Sequence, residues 1–444
     1  MNKYLSNLKI LIIIETIDRE LLGFLLLKKK LENNKINVYF CNRHNFLVKY
    51  NYILPQVVIV PQLFKIEGLK SVKDKSYIIY LRAESHAGNH LFSLADYKVG
   101  KKILQPNAIF CWGDIDYEIF KKFLGLKTKI KIYKSGHPSI DIWHKYSNIN
   151  KKKNNTVGVC STIRMVMSST GSRNPIELII NVKNNKDWFG KNIFIKKNHG
   201  AEFFIGYEYS FLNFIVDFCN KYKKKISIRP SLNEDLNLYN FLKKNSKIEI
   251  DNQSNVLDWL LKHKTILCYK SSVGLTAYIL GLNVINIKNF FNHKLLEGMN
   301  QDSYNFSFDN FFNKPKNYYE LINLIKSKFK KNKKIEAMIE KTYSYNFKKY
   351  KYSSQNILDF LINNIEVIEK IQPAPVKFSK FTNNKIINLL YKIVPYNVKI
   401  FLIDTKIVLK NYIAYGVFNR QLYSTYNNLR ISKIKKNFKK IEFL

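Results

Sequence analysis

LCYKSSVGLTAYILGLNVINI, residues 267–287, decides the fold of this chain. It reads as a short apolar run, a small polar turn, about ten residues of helix, a glycine and a second apolar run. Thr265 to Tyr269 and Val284 to Ile287 carry the β-branched and aromatic residues that favour strands. The segment between them has room for one compact crossover helix, so the two strands must run parallel. Gly281 stands where a helix C-terminus takes a left-handed residue. Ser271 or Ser272 is placed to cap the helix start, where free N–H groups and the helix dipole favour an anion. Gly274 would let a ligand approach the backbone. The plainer alternative is an ordinary capped helix on an α/β sheet.

The same alternation extends outward. Strand signals fall at Leu8–Glu15, Ile36–Cys41, Val57–Val60, Tyr77–Leu81, Ala108–Trp112 and Ile130–Tyr133, with helices at Arg19–Leu31 and from Asp114 to about Leu124. After the polar stretch NINKKKNN (148–155), read as a linker, strands recur at Thr156–Cys160, Ile226–Ile228 and Ile248–Ile250 before the opening unit. Lys186 to Gly206 is less regular. The expected fold class is α/β: two Rossmann-like, doubly wound parallel-sheet domains, residues 1–147 and 156–312, with a cleft at the carboxyl ends of their strands. From about 313 the strand signals fade, and residues 313–444 read as a basic helical extension.

A chain of 444 residues is too long for one core, in keeping with this division. It carries 74 basic against 33 acidic residues, a formal charge of +41. That balance fits an anionic membrane surface or a nucleic acid, and the abundance of Lys, Asn, Ile, Tyr and Phe fits the codon bias of an AT-rich genome as well. No nucleic-acid-binding motif accompanies the charge, so nucleic acid is not the expected partner. From Val367 to Leu444 there are 15 Lys and Arg against 3 Asp and Glu, a net of +12, interleaved with apolar residues. Such a tail suits a membrane surface, or packs back on the core with a solvated basic face. No stretch is long and apolar enough for a membrane-spanning helix, and the N-terminus reads as a first core strand and not a signal peptide. Cys41, Cys111, Cys160, Cys219 and Cys268 are scattered, without a CxxC pair, as expected of buried free thiols in a reducing cytoplasm.

Chemistry-bearing residues gather after strands. ETIDRELLGF (15–24) places Arg19 and Glu20 in a first helical turn and Gly23 where a helix packs closely on a sheet. LRAESHAGNH (81–90) groups Arg82, Glu84, His86 and His90, with a carboxylate and imidazoles available as general base. No fixed metal-ligand geometry is legible there. YKSGHPSID (133–141) carries His137 on a turn shaped by Gly136 and Pro138. IRPSLNED (228–235) ends a strand in Arg229, suited to a phosphate or to a salt bridge with a nearby acid.

Taken in order, these stretches resemble the bacterial surface carbohydrate biosynthesis proteins, glycosyltransferases of the two-domain GT-B type. RELLGFLLLKKKLENNKINVYFCN (19–42), AIFCWGDIDYEIF (108–120) and YKSGHPSID resemble the family's N-terminal half, and IRPSLNED through NVINI its donor-binding half. Many relatives carry His-Pro after the Arg-Pro pair, where this chain has Ser231-Leu232, and an acid where it has Thr276. The resemblance implies a cytoplasmic, membrane-peripheral enzyme. It would use a nucleotide-activated sugar, a CMP-linked acidic one among the candidates, with a polysaccharide or lipid-linked acceptor and neither metal nor other cofactor. It further implies that Arg229, Ser271, Ser272 and Gly274 bind the donor nucleotide, that Glu84 or His86 takes the acceptor proton, and that Arg19, Glu20, Arg82 and His137 line the acceptor side. The alternatives are a teichoic-acid-like glycerophosphotransferase and a non-catalytic basic scaffold for anionic glycan or membrane.

Overall fold

The computed structural model describes residues 7–63, 66, 68–83, 97, 100–101, 104–125, 128–148, 154–161, 200–230, 239–240, 242, 245–251, 255–269, 271–291 and 311–376. They divide into two units. The first comprises the residues up to Ile142 and those from Ile339 on, and the second runs from Trp143 to Met338.

In the first unit β1 (Lys9–Ile13), β2 (Asn37–Cys41), β3 (Val57–Val60), β4 (Tyr77–Leu81), β5 (Ala108–Cys111) and β6 (Lys131–Lys134) form one sheet in the order β2-β1-β3-β4-β5-β6. Every pairing is parallel. β3, β4 and β5 are buried along their whole length, as a sheet covered on both faces requires. That is why their sequences are unbroken apolar runs with no alternation. Helices α1 (Ile17–Glu32), α2 (Phe46–Ile53), α3 (Asp114–Leu124) and the start of α4 (Pro138–Ser147) belong to this unit. Gly23 is fixed by packing: a Cβ there would lie 2.4 Å from Ser139 N and 2.5 Å from Pro138 C. Any side chain would therefore push α1 off the start of α4.

In the second unit β7 (Asn154–Cys160), β8 (Ile226–Arg229), β9 (Ile248–Ile250), β10 (His263–Cys268) and β11 (Asn283–Asn286) are again all parallel, in the order β11-β10-β7-β8-β9. α5 (Gly200–Tyr222), α6 (Val256–Leu260) and α7 (Val273–Ile279) connect them. The opening βαβ unit is as expected: Thr265 pairs with Asn283 and Cys268 with Asn286, and Gly281 has φ +69°. α5 takes in the last residues of the stretch read as irregular, the rest of which lies outside the described residues. All five cysteines are buried and free.

The described residues from 313 to 376 are helical, as expected, and their helices pack on the two sheets. α8 (Tyr318–Lys326) covers the second sheet, burying Leu321 in its core. α9 (Lys333–Tyr343) carries the chain back into the first unit, where α10 (Ser353–Asn363) and α11 (Ile365–Glu369) pack. The reason is the apolar stripe beneath the lysines: Ile335, Ile339, Tyr343, Ile357, Leu358, Phe360 and Leu361 are all buried. Phe360 meets Phe110, Tyr133 and Tyr77 with ring centroids at 4.8, 5.2 and 6.4 Å. Two further contacts tie the segment down. Asp141 of α4, itself buried, accepts hydrogen bonds from Ser353 N (2.8 Å), Ser354 N (2.9 Å) and the Tyr350 hydroxyl, so a carboxylate from one helix caps the start of another. Val376 enters the first core and exchanges two 2.8 Å hydrogen bonds with the Asn51 side chain. Among the described residues no helix is long and apolar enough to cross a membrane. The basic tail from 377 lies outside the described residues.

Candidate functional site

Strand order locates one candidate crevice in each unit. The chain reverses direction across the second sheet between β7 and β10, and across the first between β1 and β3. At such switch points the flanking loops diverge and leave a gap at the carboxyl ends of the strands.

At the second-unit switch point the loop after β10 delivers Ser271 and Ser272 to the start of α7. Ser272 is the N-cap residue, exposed, and its side chain makes no capping bond. Ser271 Oγ accepts only a long 3.4 Å contact from Val273 N. Among the described residues neither hydroxyl has a strong internal tie, while the backbone of the helix start is satisfied, Gly274 N donating to Ser271 O (3.0 Å) and Leu275 N to Ser272 O (3.1 Å). Gly274 has a packing role. A Cβ on it would lie 2.9 Å from Cys268 Sγ and 3.3 Å from Phe312, so the missing side chain seats α7 on the sheet. Across the switch point, Ser161 follows β7 and donates its N–H to Arg229 O (3.0 Å), while the Tyr239 hydroxyl donates to Ser161 Oγ (2.7 Å). Arg229 shows the alternative that its sequence allowed. Its guanidinium donates to Asp251 Oδ1 at 3.1 Å, both side chains are buried, and Lys262 holds the other carboxylate oxygen at 3.0 Å. A buried carboxylate shared by two cations keeps Arg229 oriented. To meet a phosphate, Arg229 must use donors beyond this bond or give it up.

At the first-unit switch point Glu15 and Thr16 follow β1, Gln62 follows β3, and the Gln62 amide donates to Glu15 Oε1. Glu20, one turn into α1, folds back so that its Oε2 accepts from Glu15 N (2.9 Å) and Thr16 N (2.6 Å). This resembles a capping box displaced by one residue. Its other oxygen, like Gln62 Oε1, is buried with no hydrogen-bond partner among the described residues. Burial drives the Glu20 pKa up to about 8, with Glu15 adding to the rise and Arg19 and the two backbone bonds opposing it. Glu20 thus holds its proton through neutral pH and lies in the range where a carboxyl gives or takes a proton readily.

Arg82, Trp112, His137 and Arg19 form a continuous series. Arg82, buried just after β4, accepts through its carbonyl from Trp112 Nε1 (2.9 Å). Trp112 stacks on His137, with centroids 4.1 Å apart and planes 5° apart. Beyond the imidazole, Ser139 Oγ donates to Arg19 O (3.0 Å). His137 is fully buried, with Phe24 edge-on at 5.4 Å, and its Nδ1 accepts from Ser139 N (3.1 Å). That bond places the ring proton on Nε2. Burial, aided by Arg19, lowers its pKa to about 3, so it stays neutral at working pH and is a poor base. The structure thus gives His137 a packing and orienting role. Glu84, His86 and His90 lie outside the described residues, as does the loop that carries them.

Sequence reading picked out Arg19 and Glu20 but missed Glu15, Gln62 and Asp141. Glu15 and Gln62 each follow a strand end by two residues. That position is a usable signal once strand order is known, and strand order is what a single sequence withholds. Glu20 also yields a test. Its raised pKa means that the native state binds a proton which the unfolded state releases above about pH 4.3. The resulting stability is fully present below that pH and is lost as pH rises towards 8. Glu20→Gln cannot titrate, so wild type minus variant stability should fall by roughly 4 kcal/mol between about pH 5 and about pH 8. Urea melts at the two pH values measure it. A difference independent of pH would mean that Glu20 is charged throughout.

No protein-family model matches the sequence, and no curated protein matches it. Among solved structures the chain is similar to the UDP-GlcNAc 2-epimerase of Methanocaldococcus jannaschii in complex with UDP-GlcNAc and UDP. The identity is 14%, the TM-score 0.49, and the match covers 80% of this chain and 100% of that one. It is also similar to the wall teichoic acid polymerase TagF, at 11% identity and TM-score 0.46, covering 82% of this chain and 90% of that one. The UDP-GlcNAc 2-epimerase of Neisseria meningitidis bound to UDP-GlcNAc matches at 12% identity and TM-score 0.44, covering 80% and 100%. The α/β assignment rests on the two parallel sheets themselves.

Proposed function

We propose that this protein is a glycosyltransferase that moves a sugar from a nucleotide-activated donor, a CMP-linked acidic sugar being one candidate, to a bacterial surface polysaccharide or its lipid-linked precursor at the cytoplasmic face of the membrane. The observation that carries the reading is the second-unit switch point. There two serine hydroxyls, with one long contact from Val273 N between them among the described residues, stand at the start of α7. A nucleotide diphosphate or monophosphate linkage supplies the acceptor oxygens that these donors need. Arg229, held by Asp251, would add positive potential, and the leaving nucleotide would be stabilised without a metal. On the first unit, Arg19, Glu20 and Arg82 would recognise the acceptor, with His137 orienting its neighbours. Glu84 or His86 would take the proton of the attacking hydroxyl.

The donor half is tested by nucleotide affinity. Losing a hydrogen bond to a charged group costs about 1.5–3 kcal/mol, so a Ser271→Ala, Ser272→Ala double variant should bind nucleotide roughly ten- to hundred-fold more weakly by calorimetry. Unchanged affinity would remove these serines from the site. The basic tail would hold the enzyme near its lipid-linked acceptor. Because Val376 is part of the first core, a truncation that tests the tail has to spare it.

A further inference from the structure

The two edges of the second sheet differ in charge. At the carboxyl edge the described residues at or after the strand ends are Ser161, Arg229, Asp251, Tyr269, Ser271, Ser272 and Lys288, and Asp251 is shared by Arg229 and Lys262. The amino edge is different. Lys223 and Lys224 precede β8, Lys247 precedes β9, and all three are exposed. The segment between α8 and α9, KSKFKKNKK (326–334), adds six exposed lysines: Lys326, Lys328, Lys330, Lys331, Lys333 and Lys334. Three contacts fasten the end of α8 and this segment to the same edge. Leu324 O accepts from the Asn283 side chain at the start of β11 (2.8 Å). Ile325 O accepts from Thr265 Oγ1 near the start of β10 (3.4 Å). Asn332 N donates to the hydroxyl of Tyr278, at the far end of α7.

None of these nine lysines has an ion-pair partner among the described residues. The nearby acids are Glu249, which is taken by Lys225, and Glu336 in the first turn of α9. An unpaired like-charge surface repels itself, and an anionic partner removes that repulsion. Beside the segment an apolar side chain is left in water. Phe311 is 37% exposed, and its carbonyl accepts from the Asn332 amide. With strands about 4.8 Å apart, the lysines spread along roughly 20 Å of edge.

We propose that the amino edge of the second sheet is a docking surface for an anionic lipid bilayer, with the lysines over the headgroups and Phe311 at the interface. Several observations favour a bilayer over a nucleic acid. The cations are all lysines, strongly hydrated point charges without the planar fork that reads phosphate and bases, and one isolated aromatic is not a stacking platform. The arrangement leaves the carboxyl edge, with Ser271 and Ser272, free of the bilayer. The inference extends the membrane-peripheral part of the proposed function and does not depend on the donor chemistry.

The test is vesicle co-sedimentation of the full chain, with phosphatidylcholine alone and with about a third phosphatidylglycerol. One variant replaces Lys326, Lys328, Lys330, Lys331, Lys333 and Lys334 with Gln. A second replaces the tail residues Lys433, Lys435, Lys436, Lys439 and Lys440 with Gln. The wild type should bind only the anionic vesicles, and the first variant should lose at least about 100-fold in partitioning while keeping its melting temperature. Three results would each overturn the proposal. One is wild-type binding by the first variant together with loss of binding by the tail variant. Another is equal binding of the wild type to both vesicle types. The third is no vesicle binding by the wild type, with binding of a short single-stranded DNA that the first variant loses. Nucleotide affinity measured on the same samples separates this proposal from the enzyme reading, since loss of one leaves the other standing.

Discussion

Glu84→Gln should lower turnover by about 10²- to 10⁴-fold while leaving donor affinity unchanged. The substitution keeps the shape of the side chain and removes its capacity to accept a proton. In sequence Glu84 follows the end of β4 by three residues, and the carboxyl ends of parallel strands are where such a sheet opens to its ligand. His86→Ala is the paired experiment. If the histidine variant alone loses turnover, the imidazole is the base and Glu84 orients it. If both retain full turnover, Glu20 is the next candidate, since its pKa near 8 and its unpartnered buried oxygen fit proton transfer. Single-turnover measurements keep donor binding separate from chemistry.

The second large effect is on stability. Asp141→Ala should cost roughly 3–5 kcal/mol and lower the melting temperature by about 10 °C. Asp141 is fully buried, and its carboxylate accepts from two backbone N–H groups at the start of α10 and from the Tyr350 hydroxyl. Alanine leaves those donors unpaired in the interior, each at about 1–3 kcal/mol, although Tyr350 can turn towards Ser353. Burial raises the Asp141 pKa, opposed by these same bonds, so part of the gain is already spent on desolvation. Asp141→Asn keeps one acceptor oxygen and should lose about half as much. Gly136 marks the same junction. It has φ +71°, and a Cβ there would approach Ser353 Oγ to 2.3 Å. The GHPSID turn is therefore where the first unit receives its C-terminal helices. Equal melting temperatures for wild type and Asp141→Ala would mean that α10 docks through its apolar face alone.

Most of the scaffold was legible in the residues. The inner strands β3, β4 and β5 are continuous apolar runs because both their faces are covered, which makes them readable as strands of a parallel sheet. What could not be read was strand order. Without it, Glu15 and Gln62 are two unrelated polar residues 47 positions apart, whereas the sheet brings them within hydrogen-bonding reach. Arg229 illustrates a second limit. A strand-end arginine suits a phosphate and a carboxylate equally, and only the placement of Asp251 on the neighbouring strand end decides between them. The third limit concerns the stretch after 313. Its lysines are gathered in conspicuous runs, yet within α9, α10 and α11 buried apolar side chains recur at helical spacing. That periodicity, and not the net charge, determines where α9, α10 and α11 pack.

The central claim is transfer of a sugar from a nucleotide. The measurement that tests it most directly is incubation of the full chain with a panel of nucleotide sugars and a surface-polysaccharide acceptor preparation, with mass spectrometry of all products. The account predicts that one donor is consumed, that its free nucleotide appears, and that the acceptor gains the mass of the sugar. In the Ser271→Ala, Ser272→Ala variant the same donor should be spared at sub-saturating concentration. Failure to consume any nucleotide sugar would contradict the account, as would a phospho-polyol added in place of a sugar, or a nucleotide sugar altered but still attached to its nucleotide.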